Sequence, residues 1–161
     1  MNASRRLRSP LVPCSLALLI ACAGCSSTDD GGTAAVPSPG SGVARLCRDL
    51  DGELPRKVNG LARHDPKPAS PLTAGWGDPA IILRCGVPRP AKMNDPEADG
   101  VTVNGVGWLL QKRDDGSFRF TTTLRKAYVE VTIPEERTQD GVGPLTDFAA
   151  PIEKAIPKGI A

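Results

Sequence analysis

The sequence predicts an α+β fold: one small domain in which an antiparallel sheet of about four strands packs against an N-terminal and a C-terminal helix. Apolar residues recur at spacings of three and four after residue 43 and again after residue 145, as in amphipathic helices. Short β-branched runs separated by turn signals lie between these two stripes. The 119 residues of 43–161 are enough for one domain with its own core.

Both helices are predicted from their apolar stripes. The first stripe ends at Pro55 and comprises Val43, Leu46, Cys47, Leu50 and Leu54. The second stripe comprises Leu145, Phe148, Ala149, Ile152 and Ile156. Because proline removes a backbone hydrogen bond inside a helix, Pro151 predicts a kink or two short helical pieces.

Four strands are predicted, at about residues 80–87, 101–112, 118–124 and 128–133. The pair Asp115-Gly116 before the third strand is typical of a tight hairpin. In the fourth strand, Val129, Val131 and Ile133 share one face. Residues 56–73 are rich in Pro, Lys and Arg, which predicts an irregular surface segment.

Residues 1–21 have the features of a secretory signal peptide. Three arginines, Arg5, Arg6 and Arg8, precede an apolar run from Leu11 to Ala21. This run is about half the length that a membrane-spanning helix needs, roughly 20 residues, so a removed peptide is favoured over a permanent anchor.

The segment from Leu19 to Cys25 contains two overlapping lipobox patterns, in which a cysteine becomes the lipidated N-terminus. Cys22 has Leu19 at the preferred third position before it. Cys25 is the alternative, because Ala23 and Gly24 fit the residues next to the cut. The sequence thus predicts a diacylglyceryl anchor that holds the protein on the extracytoplasmic face of the cell membrane.

Residues 22–42 are predicted to be the lipidated, flexible tether between this anchor and the domain. Gly, Ser, Thr and Pro dominate them from Ser26 onward, so they bury too little apolar surface to offset the entropy of ordering. Cys47 and Cys85 then remain in an exported domain, where cysteines normally pair. The sequence predicts a disulfide between them.

Charge and composition exclude several function classes. Without the three N-terminal arginines, 17 basic residues face 18 acidic ones, so the basic surplus that binding to nucleic acid needs is missing. One histidine in the whole chain leaves most metal and acid–base chemistry without its usual ligand. No cofactor and no metal are expected.

The string from Trp76 to Pro88, followed by Val106-Gly107-Trp108-Leu109 and by Tyr128-Val129-Glu130-Val131, resembles a family of actinobacterial lipoproteins catalogued only as a domain of unknown function. The resemblance covers nearly all of residues 43–161. It implies a lipid-anchored protein of the cell envelope and brings no activity, ligand or catalytic residue.

Two function classes follow from the remaining residues. Trp76 and Trp108 lie beside glycines, and Arg84 and Arg125 are suited to a carboxylate, so these four residues are a candidate ligand groove, with core packing as the alternative for the tryptophans. The favoured function is a non-catalytic binding or interaction module with an unidentified envelope partner.

The alternative function is a carboxylate-dependent hydrolase or transferase acting on cell-wall material. Its candidate acids are Asp78, Asp99 and Glu130, because glycoside hydrolysis needs only two carboxyl groups. The spacing of Asp95, Glu97 and Asp99 is that of half a calcium loop, but the twelfth position is Val106, which favours a solvated turn.

Overall fold

The computed structural model describes residues 32–160. In this part of the chain, helix α1 spans Ser41–Glu53 and helix α2 spans Gly143–Ala155. The strands are β1 (Lys57–Val58), β2 (Leu61–His64), β3 (Thr73–Trp76), β4 (Ile81–Cys85), β5 (Gly100–Val103), β6 (Val106–Lys112), β7 (Phe118–Thr122) and β8 (Val129–Ile133). Two short 3-10 helices, Ala91–Asn94 and Glu135–Asp140, lie in the connections.

The strands form one antiparallel sheet in the order β1-β2-β3-β4-β8-β7-β6-β5. Strands β1 to β4 and strands β5 to β8 are thus two four-stranded meanders, joined where β4 pairs with β8. The predicted count of about four strands is therefore wrong, although the antiparallel pairing and the two flanking helices agree with the predicted α+β class.

One source of the error is a turn inside the second predicted strand. Residues 101–112 are a hairpin of β5 and β6, because Asn104 and Gly105 reverse the chain with φ angles of 46° and 83°. Two successive residues with positive φ are typical of a type I′ turn, for which Asn-Gly is the favoured pair.

The other source of the error in the strand count is the segment 56–73, for which the sequence predicts an irregular structure. It contains β1 and β2, joined by a second Asn-Gly turn at Asn59 and Gly60, with φ angles of 49° and 82°. Strand β3 begins at Thr73, the last residue of this segment, and lacks a β-branched run. Its Gly75 is needed for close packing, since a Cβ there would lie 2.3 Å from Cε1 of His64.

The core lies between both helices and one face of the sheet. Leu50 of α1 and Phe148 of α2 are buried in the same hydrophobic cluster as Leu83 of β4 and Val131 of β8. Trp76 packs edge-on against Phe148 with ring centroids 5.0 Å apart. Helix α2 is a single helix that includes Pro151.

A disulfide joins Cys47 of α1 to Cys85 of β4, with their Cα atoms 5.5 Å apart. Both residues are 1% exposed. The predicted pairing is confirmed, and it fixes the first helix to a central strand of the sheet.

The described chain begins inside the segment that the sequence assigns to the tether. Thr33 forms a bridge with Lys67, and Ala34 is buried. The backbone oxygen of Ala35 accepts a hydrogen bond from Nε of Arg84 at 2.9 Å. Residues 32–40, the N-terminal strap, therefore lie against the sheet before α1 begins at Ser41.

The predicted signal peptide and both candidate lipidation sites, Cys22 and Cys25, lie outside the described residues. Within residues 32–160, no helix is long and apolar enough to cross a membrane.

Removal of the disulfide tests its contribution to stability. The Cys47→Ala, Cys85→Ala double variant is expected to unfold with a free energy about 4 kcal/mol lower than the oxidised protein, because the 38-residue separation no longer restricts the unfolded chain. Denaturant unfolding measures the difference, and the reduced wild-type protein is the control. A loss below about 1 kcal/mol would contradict this role for the disulfide.

Candidate functional site

The open face is the face of the sheet turned away from the helices. The strand register places one row of residues across it, from Arg84 through Glu130, Thr121 and Leu109 to Gly100. Leu109 is 3% exposed although it lies outside the main core cluster, so other segments must cover this face.

Residues 89–99 cover the open face beside β5 and β6 and leave a cleft of about 420 Å³. A volume of this size is within the range of small-molecule sites, about 300–1,000 Å³. Lining residues with apolar side chains are Met93, Ala98, Val101, Leu109, Leu124 and Ile160. A second cavity of about 270 Å³ adjoins the cleft, since Arg89 and Tyr128 line both.

Two exposed apolar side chains form part of the cleft wall. Leu124 is 69% exposed and Ile160 is 75% exposed. Leu124 also has a φ of 52°, a left-handed conformation that costs a non-glycine residue roughly 1–2 kcal/mol. Backbone hydrogen bonds hold this conformation: N of Gly159 donates to O of Leu124, and N of Lys126 donates to O of Pro157, each at 3.0 Å.

Two carboxylates line the cleft, and one of them is already bound within its own segment. Asp95 accepts a hydrogen bond from Nζ of Lys92 at 2.6 Å and another from the backbone N–H of Glu97 at 2.9 Å. These two interactions hold the pKa of Asp95 below its ordinary value, so this carboxyl group stays ionised. The second carboxylate belongs to Asp99, which is exposed.

A buried ion cluster lies in the middle of the open face. Glu130, 6% exposed, has Nη1 of Arg84 at 3.1 Å from Oε1 and Nε of Arg119 at 3.4 Å from Oε2. Because Val129, Val131 and Ile133 share one face of β8, alternation places Glu130 on the opposite face, where a charged side chain is ordinarily exposed to solvent. The two arginines bury it instead.

Comparison with known proteins adds one finding. Residues 11–160 match the family model described as "Protein of unknown function (DUF3515)". The chain belongs to the DUF3515 family. No curated protein and no solved structure matches it. The resemblance to a family without an assigned activity is confirmed, so a function for this DUF3515 protein must be argued from its geometry.

The structure does not bring the four predicted groove residues together. Trp76 is buried in the core, where its Nε1 donates to O of Pro55 at 3.1 Å. Arg125 is 3% exposed and its Nη1 donates to O of Ile156 at 3.0 Å, so it fixes the end of α2. Trp108 is 1% exposed and belongs to the core cluster, although it is also among the cleft-lining residues. Of the four predicted groove residues, only Arg84 belongs to the ion cluster on the open face.

The residues that sequence reasoning missed are Arg119, Thr121, Leu109 and Leu124. Alternation in the run Phe118 to Thr122 places Arg119 opposite the apolar side of its strand, and pairing of β7 with β8 would have placed it near Glu130. The left-handed backbone of Leu124 has no such signal, because leucine rarely adopts it.

Metal binding has no support among residues 32–160, which contain no group of three or more potential ligand residues placed to hold an ion. Asp95, Glu97 and Asp99, which have the spacing of half a calcium loop, lie in the segment over the cleft. Asp95 pairs there with Lys92. The cleft of this DUF3515 protein therefore has no such ligand group among its described residues.

Substitution of Leu124 tests whether its left-handed backbone is strained. Leu124→Gly is expected to raise the free energy of unfolding by about 1 kcal/mol, since glycine adopts a positive φ without a Cβ clash and little buried surface is lost. Ile160→Gly is the matched control, because its backbone does not have a positive φ. Equal effects of the two substitutions in thermal or denaturant unfolding would contradict the assignment of strain to Leu124.

Proposed function

We propose that this protein is a lipid-anchored binding module on the extracytoplasmic face of the cell membrane, and that its ligand site is the cleft on the open face. Anchoring follows from the signal-like residues 1–21 and from the lipobox cysteines, Cys22 or Cys25. The disulfide between Cys47 and Cys85 supports an oxidising compartment, because cysteines in the cytosol are kept reduced.

The short chain between the anchor and the domain supports a position close to the membrane. Seven residue steps separate Cys25 from Gly32, where the N-terminal strap begins, and they span at most about 25 Å. With Cys22 as the lipidated residue the limit is about 35 Å. Confinement of this kind raises the effective concentration of a binding module near envelope ligands.

The cleft is the observation that carries the binding proposal. It combines about 420 Å³ of space with a partly apolar lining and with two exposed apolar side chains, Leu124 and Ile160. Exposed apolar groups beside a concave site are typical of ligand-binding surfaces. A small ligand with an apolar body fits this lining best.

The placement of the carboxylates favours binding over hydrolysis. Asp78 follows β3 and Asp99 precedes β5, and four strands lie between β3 and β5 in the sheet, whereas paired glycosidase carboxyls are about 5–9.5 Å apart across one cleft. Glu130 is held as an ion pair by two arginines. A general acid needs a raised pKa, and Asp95 in the cleft has a lowered one.

Lipidation is tested by the intact mass of the protein extracted from its own membrane with detergent. The expected mass lacks residues 1–21 or 1–24 and includes a diacylglyceryl group. Cys22→Ser and Cys25→Ser variants identify the modified residue, because only one of them should abolish the lipid. A water-soluble mature protein without lipid in its normal host would contradict the anchor.

Ligand binding in the cleft is tested with 1-octanol, a neutral probe with an apolar body. Two-dimensional NMR should show saturable shifts for residues 93–109 and for residues near Leu124. Ala98→Trp fills the cleft and is expected to weaken binding roughly tenfold. Ala62→Trp, an exposed position on β2, is the matched control and should leave binding unchanged. Shifts that persist in the Ala98→Trp variant would contradict the cleft as the site.

A further inference from the structure

We propose that Arg84 and Arg119 form a second binding site on the open face, which takes the anionic group, a carboxylate or a phosphate, of a small ligand. Neither arginine lines the cleft. The proposal therefore does not depend on whether the cleft binds an apolar ligand. Its evidence is the charge, the burial and the unused hydrogen-bond donors of the ion cluster.

The charge of the cluster is not balanced. Glu130 supplies one negative charge to two guanidinium groups, so the cluster keeps a net charge of +1. The side chain of Glu130 is 8% exposed, while the side chains of Arg84 and Arg119 are 26% and 28% exposed. The carboxylate is thus covered by its partners, and the uncompensated positive charge is the part that a ligand can reach.

Both arginines keep donors free. Arg84 uses Nη1 on Glu130 and Nε on O of Ala35, which leaves Nη2 without a partner in residues 32–160. Arg119 has only its 3.4 Å approach to Glu130, so Nη1 and Nη2 are both unpartnered within the described chain. Guanidinium groups with free terminal nitrogens bind carboxylate and phosphate oxygens through paired hydrogen bonds.

A buried polar atom beside the cluster is also unsatisfied. Thr121 is fully buried, lies directly opposite Glu130 in the register, and its Oγ1 has no hydrogen-bond partner among the described residues. Nε of Arg119 is buried without a hydrogen-bond partner as well. Buried polar groups are nearly always satisfied, so Oγ1 of Thr121 marks a place beside the cluster where a further polar partner can be accepted.

The neighbouring positions complete a polar surface. The register places Arg119 between Thr132 of β8 and Gln111 of β6, and both of these side chains are half-buried. The N-terminal strap borders the site through the hydrogen bond from Arg84 to Ala35. One guanidinium group already balances the charge of Glu130, so the second arginine is available to a ligand.

The test is an NMR titration of the oxidised protein labelled with ¹⁵N in its arginine side chains. Inorganic phosphate and acetate are added separately at constant ionic strength. The Nε signals of Arg84 and Arg119 are expected to shift saturably, and whichever anion binds more tightly identifies the group. Arg113, which lies 3.9 Å from Asp115 outside the cluster, should show no saturable shift.

Three variants separate the site from general attraction by positive charge. Arg119→Gln is expected to abolish saturable binding, while Arg113→Gln, the matched control, should retain it. Glu130→Gln removes the competing carboxylate and is expected to tighten binding roughly tenfold. If either cluster variant fails to fold, Arg119→Lys keeps the charge but loses the planar fork, and it should weaken binding.

The proposal is overturned if neither anion gives a saturable shift at tens of millimolar, or if Arg119→Gln and Arg119→Lys bind as well as the wild-type protein. It is also overturned if Arg113 responds as strongly as Arg119. None of these results bears on the cleft, which is tested with an uncharged probe.

Discussion

The packing of both helices on one face of a wide sheet determines most of this structure. Two 13-residue helices cover the side of the sheet that presents Trp76, Leu83, Phe120 and Val131. Burial of these side chains is the main favourable term in folding such a domain. The opposite face has no α-helix, so the N-terminal strap and residues 89–99 cover parts of it, and the space left between them and the strands is the proposed ligand site.

The disulfide and the N-terminal strap connect this architecture to the proposed membrane anchor. Cys85 lies on β4, the strand that joins the two meanders, and its bond to Cys47 holds α1 on the core side. On the other side, the strap contacts Arg84 of the same strand. Strand β4 therefore contacts the N-terminal strap on one face of the sheet and helix α1 on the other. The ion cluster includes Arg84 of this strand.

The sequence allowed the helices, the disulfide and three of the strands, β4, β7 and β8, to be predicted, because apolar periodicity and cysteine compartment are local or compositional signals. The number of strands could not be predicted from the sequence, because β1 and β2 have few apolar residues and β3 contains Gly75 in place of a β-branched residue. The two Asn-Gly turns, at residues 59–60 and 104–105, are hairpin signals that local reasoning can use.

The candidate site was harder to predict, because its residues come together only through the order of the strands. Arg119 and Glu130 are eleven positions apart and meet because β7 pairs with β8. Arg84 reaches the same carboxylate from β4, across the junction between the meanders. Trp76 and Trp108, which looked like groove residues beside their glycines, belong to the core instead.

Hydrogen–deuterium exchange of the oxidised domain, with and without saturating 1-octanol and inorganic phosphate, tests most directly whether the open face is the functional face. The account predicts slower exchange in residues 89–110 and 119–130, with α1 and α2 unchanged. Slower exchange confined to the two helices, or no change anywhere in the domain, would contradict it.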